Sequence, residues 1–239
     1  MAQAIVQPDI DTLFEAGAHF GRSRARRHPS AAPFIFGSKD KNDIFDLTLT
    51  STCLSKALEA VAKVAGEGKQ ILFVGGKPEV NAVVKVAAER IGVPHVAGRW
   101  IGGTLTNFKQ IRKRIDRLTK LTGEKERGEL EKYTKRERLL IDREIEELEG
   151  RFRGLVEMQE RPGMVFVVDT RHEQTAVKEA VQMGIPLIGL ANTDCDFGDI
   201  AFPIPANDNS AKSVSFFVNA IADAYWAYKK AAPVAPVKK

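Results

Sequence analysis

Ile71-Leu72-Phe73-Val74-Gly75-Gly76-Lys77-Pro78 decides the fold class. Four consecutive apolar residues have the length of a strand, and a run without polar alternation suits a strand covered on both faces, as in a parallel sheet. Gly75-Gly76 makes the turn, and Pro78 suits the first turn of a helix reaching about Arg90. Val93 to Ala97 then gives a second strand, completing a strand-helix-strand unit. Upstream, Asp9 can cap a helix from Ile10 to about Ala16, with Gly17 at its exit. Phe34-Ile35-Phe36 and Ile44-Phe45-Asp46-Leu47 are expected as short strands around a polar turn. Leu54, Leu58, Val61 and Val64 or Ala65 mark a helix that Ser51 or Thr52 can cap and that Gly66 and Gly68 end. Downstream the alternation resumes. Strands are expected at Met164–Val168, Ile185–Leu190 and Ala201–Ile204, and helices at Glu173–Met183 and Ser210–Lys229. Strands and helices alternating at these lengths predict an α/β fold with a parallel, doubly wound sheet.

Residues 104–153 interrupt that pattern and carry no strand signal. Leu105, Phe108, Ile111 or Arg112, Ile115 and Leu118 recur every three or four residues. Glu124 to Glu131 is expected as a polar connector. Thr134 with Glu137 forms a capping box that opens a second helix, with Leu140 or Ile141, Ile145, Leu148 and Phe152 on its apolar side. Two helices with narrow seams predict an inserted antiparallel coiled-coil hairpin that projects from the body. The expected organisation is a first part of the α/β domain at 1–103, the hairpin at 104–153, a second part at 154–230 and a disordered tail at 231–239.

The chain carries 36 basic and 31 acidic residues in 239, and its 44% hydrophobic content supports a packed core. Two distant cysteines, Cys53 and Cys195, suggest neither a disulfide framework nor a zinc knuckle, which fits a reducing cytoplasm. Met1 to Asp9 shows no secretory pattern, and no apolar run approaches the roughly 18 residues that span a bilayer. Charge distribution says more than the total. Lys109, Arg112, Lys113, Arg114, Arg117 and Lys120 face a single acid, Asp116, on the first hairpin helix, and Lys135, Arg136 and Arg138 open the second. Such a surface is a candidate polyanion contact, although charge runs also occur as solvated faces laced with salt bridges. Arg22, Arg24, Arg26 and Arg27 form a second basic segment, suited to bidentate phosphate contacts. The run from Gly98 to Phe108 joins sheet to hairpin. It can hold a phosphate at the helix start or act as a hinge packed by Trp100, and the hinge is the preferred expectation, with Arg99 and Asn107 as RNA contacts.

Enzyme-like signals are incomplete. Gly75-Gly76-Lys77 lies where nucleotides bind in doubly wound folds, yet the third glycine of the dinucleotide fingerprint is missing. Asp169, with His172 and Glu173, sits at the carboxyl end of a strand, an active-site position whose other explanation is helix capping. No nucleophile–base pair is evident, and His19, His28, His95 and His172 lack ligand spacing, so no cofactor, metal or small-molecule substrate is expected. The alternative is a nucleotide- or sugar-phosphate-using enzyme.

Five blocks carry a resemblance: residues 14–21 (Phe-Glu-Ala-Gly-Ala-His-Phe-Gly), 33–37 (Pro-Phe-Ile-Phe-Gly), 71–75, 99–108 (Arg-Trp-Ile-Gly-Gly-Thr-Leu-Thr-Asn-Phe), and 166–169 with His172-Glu173 and Gly184-Ile185-Pro186. Together they resemble the bacterial small-subunit ribosomal protein S-two family over about residues 10 to 225. The resemblance implies a Rossmann-like domain with a coiled-coil insertion and a structural role in the small subunit. It also implies contact with small-subunit rRNA and neighbouring ribosomal proteins, including recruitment of ribosomal protein S-one. The sequence departs from the family at Gly21-Arg22-Ser23 and Arg27-His28-Pro29-Ser30-Ala31, where relatives carry His-Gln and an aromatic-Asn-Pro-Lys-Met run.

Overall fold

The structure, a computed structural model, describes residues 9–231. The expected tail beyond Ala231 and the segment before Asp9 lie outside the described residues. Helix α1 (Ile10–Glu15) is followed by strand β1 (Phe20–Ser23), then β2 (Ile35–Lys39) and β3 (Asn42–Phe45). These strands form an antiparallel sheet in the order β1-β3-β2. The chain continues through α2 (Leu47–Gly66), β4 (Ile71–Val74), α3 (Pro78–Ile91), β5 (His95–Val96), α4 (Phe108–Glu126), α5 (Lys135–Phe152), β6 (Met164–Val168), α6 (Gln174–Gln182), β7 (Leu187–Ala191), β8 (Phe202–Pro205) and α7 (Ala211–Ala231). The larger sheet is parallel, in the order β5-β4-β6-β7-β8. Its order reverses between β4 and β6, the crevice where doubly wound folds take ligands.

Successive side chains on a strand point to opposite faces, and the core divides accordingly. Ile71, Phe73, Met164, Phe166, Val168, Ile188 and Leu190 pack with α2, α3 and α7. Leu72, Val74, Val165, Val167, Leu187 and Ala191 join the other cluster, with Trp100, Leu105 and α6. That second cluster runs on without a break through Ile111, Ile115, Leu118 and Leu121 of α4 and Ile145, Leu148 and Phe152 of α5. The two open alternatives of the seam resolve to Ile111 and to Ile141, which packs partly buried while Leu140 is exposed.

Several local expectations are corrected. Helix α2 starts four residues earlier than Ser51, because Asp46, directly after β3, accepts the Thr48 N–H at 2.9 Å. Replacing Asp46 with alanine is expected to cost about 1 kcal/mol, read as a lowered urea midpoint. Asp9 stands at the start of α1 but makes no side-chain cap. The basic segment from Arg22 is not wholly irregular: it begins as the end of β1 and turns through a 3-10 helix at Arg24–Arg26. The polar connector begins later than expected. Helix α4 extends to Glu126, and a 3-10 turn, Glu129–Lys132, precedes the capping box in which Thr134 Oγ1 accepts the Glu137 N–H and Glu137 accepts the Thr134 N–H.

Candidate nucleic-acid interface

Two glycine-bearing turns that could take an anion are filled by the protein's own carboxylates. At the hairpin root, Glu179 of α6 is 7% exposed. Its carboxylate accepts from Trp100 Nε1 (3.0 Å), Gly103 N (2.8 Å), Leu105 N (3.0 Å), Thr106 N (3.2 Å) and Thr106 Oγ1 (3.2 Å). The amides that might have cradled a phosphate therefore close on Glu179, and the run from Gly98 to Phe108 is a packed joint. Burial alone would raise the Glu179 pKa, but the hydrogen bonds from Trp100 and the three amides outweigh it and hold the carboxyl below its usual range.

The same occurs at the β4 turn. Gly76 donates its N–H to Glu173 Oε1 at 3.1 Å, and a Cβ on Gly76 would stand 2.5 Å from the Gly98 carbonyl oxygen. Lys77 ion-pairs with Asp169 and lies 3.6 Å from Asp208 Oδ2. Asp169 has φ +63° and accepts the N–H groups of Arg171 (3.1 Å) and His172 (3.0 Å). The two buried acids separate. Burial opposes ionisation of Asp169, but Lys77 and the His172 amide keep its pKa low, whereas burial and the Asp169 charge push Asp208 up. Asp169, Cys195 and Asp208 lie close enough to share a metal ion, but the Lys77 ammonium already supplies a cation there. Burial drives the Cys195 thiol up to about 12, so it is no nucleophile at neutral pH.

The cationic candidates fall into two groups. Arg27 makes a two-pronged pair with fully buried Asp43. Arg22 reaches Asn209 Oδ1 at 2.7 Å and lies within 4 Å of Asp194 and Asp208. Arg117 grips Glu144 across the hairpin at 3.1 and 3.2 Å, and Arg112 reaches the carbonyl oxygens of Met158 (3.1 Å) and Val156 (3.4 Å) besides Asp116. These four guanidinium groups are engaged inside the molecule. Arg24, Arg26, Arg99, Lys109, Lys113, Arg114, Lys135 and Arg136 are exposed, and none has an ion-pair partner among the described residues. Asn107 is exposed at the start of α4 without capping it. At about 100° per residue, Lys109, Lys113 and Lys120 fall within about 40° of one another, roughly opposite the Ile111–Ile115–Leu118 seam. Asp116 shares that side but is taken by Arg112 at 3.0 Å, and Lys120 is only loosely paired, 3.8 Å from Glu124.

A family model described as "Ribosomal protein S2" matches residues 13–227. The chain belongs to the ribosomal protein S2 family. Among its relatives, each called "Small ribosomal subunit protein uS2", that of Dichelobacter nodosus is 38% identical over 230 residues, covering 96% of this chain and 86% of the relative. That of Chloroherpeton thalassium is 40% identical over 220 residues, covering 92% and 88%. That of Mesoplasma florum is 41% identical over 215 residues, covering 90% and 81%. Membership in the ribosomal protein S2 family gives the chain a structural role. Sequence reasoning missed Glu179. The signal was available: an acid on the inward side of a helix whose neighbours Ala176 and Ala180 are buried, opposite a glycine-rich run of free amides.

Proposed function

We propose that this chain is a structural constituent of the small ribosomal subunit, working in the cytoplasm, that binds small-subunit rRNA through cations it does not use internally. One observation carries the reading. Lys109 and Lys113 on the outward side of α4 have no ion-pair partner among the described residues, while the amides of Gly76 and Gly103 are taken by Glu173 and Glu179 of the same chain. Phosphates neutralised at the exposed lysines release counterions and yield salt-sensitive affinity, which a filled crevice does not provide for a small ligand. Lys109, Lys113, Arg114, Lys135 and Arg136 on the hairpin, with Arg24, Arg26, Arg99 and Asn107 on the body, make up the contact surface. Arg22, Arg27, Arg112 and Arg117 fix the shape of the elements that present it. Neighbouring ribosomal proteins complete the set of partners, and the family resemblance adds ribosomal protein S-one. No small-molecule substrate or cofactor is part of the reading, and no helix among the described residues is long and apolar enough to cross a membrane.

Co-sedimentation with small subunits across a salt gradient tests it. The expected result is stoichiometric association at low salt that weakens progressively as salt rises. Free protein at every salt concentration, with subunits lacking it, would overturn the reading.

A further inference from the structure

The turn between β2 and β3 has two central residues, Asp40 and Lys41, and both take positive φ, +51° and +65°. A two-residue turn of this kind follows the right-handed twist of its strands, and its favoured pairs are Asp-Gly and Asn-Gly. Asp40 meets the first preference. Lys41 stands where glycine is unstrained, and the left-handed region is costly for any residue with a Cβ. Its side chain gains no ion pair inside the molecule in return: Lys41 is exposed and has no such partner among the described residues. Backbone strain that the fold itself does not use points to a use outside the chain.

The same turn is tied to a second cationic segment. Ser23 of β1 and Lys39 of β2 both pair with Asn42 of β3, and the Arg24 N–H donates to the Lys41 carbonyl at 2.9 Å. On the buried side, Arg27 pairs with Asp43, which also accepts from Ser38 Oγ at 2.7 Å. The 3-10 turn opened by Arg24 is thus fastened to the β2–β3 turn at two points, which sets Arg24 beside Lys39 and Lys41. All three are exposed, with no ion-pair partner among the described residues. Asp40 is the exposed acid between them, whereas Asp43 is fully buried and taken by Arg27.

We propose that Arg24, Lys39 and Lys41 form one clamp for the sugar-phosphate backbone of small-subunit rRNA, carried by the antiparallel sheet and separate from the lysines of α4. The proposal rests on the RNA-binding reading above and adds Lys39 and Lys41 to it. Cations on two segments already bonded to each other keep a fixed spacing, so gripping phosphates there orders little chain. The run from Ser38 to Asp43 carries no apolar side chain. The turn therefore offers charge and nothing to bury, which suits a phosphate backbone better than a protein surface, whose affinity comes from a desolvated centre.

The test measures binding of the full chain to protein-free small-subunit rRNA over a salt series, with urea unfolding of the same proteins. Lys41→Gly relieves the left-handed backbone, so its urea midpoint lies at or above that of wild type, yet it lowers the slope of log K against log salt by about 1. Combining it with Lys39→Gln lowers the slope by about 2. Asp40→Asn keeps a residue that favours the turn and removes the acid, so affinity rises. The control is Lys56→Gln with Lys63→Gln, two exposed lysines of α2, which leaves the slope at the wild-type value. Unchanged slopes in the turn variants, alongside weakened binding when Lys109, Lys113 and Lys120 are reversed, would overturn this proposal alone. An equal loss in the α2 control would overturn it by showing that position does not matter. A lowered urea midpoint in Lys41→Gly would do so by showing that the fold itself uses Lys41. Turn variants that bind rRNA as wild type does but fail to enter small subunits would assign the turn to a neighbouring protein instead. If rRNA does not bind the wild-type chain, the underlying reading falls with it.

Discussion

Replacing Glu179 with alanine is expected to destabilise the folded chain by about 3–5 kcal/mol, the cost of stranding buried partners of an ionised group. Trp100 Nε1 and the Leu105 N–H are buried and lose their acceptor, and Gly103 and Thr106 lose theirs at the same stroke. Glu179→Gln keeps the shape but turns one accepting oxygen into a donor facing donors, so it is expected to fall between the two. The pH dependence has a definite sign. Burial works against the charge of Glu179, but its hydrogen bonds win and its folded pKa lies below the ordinary 4.5. Its stabilising contribution is complete above that ordinary value and disappears as pH falls through the lowered one. The gap between wild type and Glu179→Gln should be constant near neutrality and close only in acid. Urea midpoints across pH measure it. A Glu179→Ala variant within about 1 kcal/mol of wild type would mean the run at 99–108 holds its shape without the carboxylate.

The second large effect concerns binding. Reversing Lys109, Lys113 and Lys120 to glutamate removes two lysines of the proposed contact surface and the loosely paired Lys120 beside them, and adds three like charges along one side of α4. Affinity for small-subunit rRNA near 0.1 M salt is expected to drop by roughly 10³-fold, and the salt slope by about 2 to 3. These side chains are exposed and opposite the seam, so stability should change by no more than about 0.5 kcal/mol. The informative control is a swap, Arg117→Glu with Glu144→Arg. It preserves net charge and rebuilds the cross-hairpin pair with the ends exchanged, and RNA binding should survive. A swap as damaging as the triple reversal would show that Arg117 touches RNA and that its pairing with Glu144 is incidental.

The parallel sheet was legible because runs such as Ile71–Val74 and Met164–Val168 can be covered only from both sides, and Gly92 and Gly184 stop the intervening helices in the left-handed conformation. Helices α4 and α5 were legible from the spacing of Ile115, Leu118, Ile145 and Leu148 and from the Thr134 capping box. What periodicity does not encode is partnership across sequence. Arg22 and Arg27 look alike beside Arg24 and Arg26, yet Asp208 and Asp43 claim the first two because the fold brings β1, β3 and the segment after β8 together. Strand β1 was hidden for a related reason. Phe-Gly-Arg-Ser has no apolar alternation and is a strand only because β3 lies beside it, with Gly21 allowing the approach of the Asp43 carbonyl and Thr193. The candidate surface was thus visible as a count of charges. Its division into exposed and internally spent cations required the three-dimensional partners.

The most direct measurement is the binding constant of the purified chain for protein-free small-subunit rRNA as a function of salt, starting from dilute buffer. Tight binding that falls steeply and linearly on the logarithmic scale, with a slope that shrinks in the triple-lysine variant, is the predicted result. Failure to bind in dilute buffer, or binding indifferent to both salt and the three lysines, would contradict it.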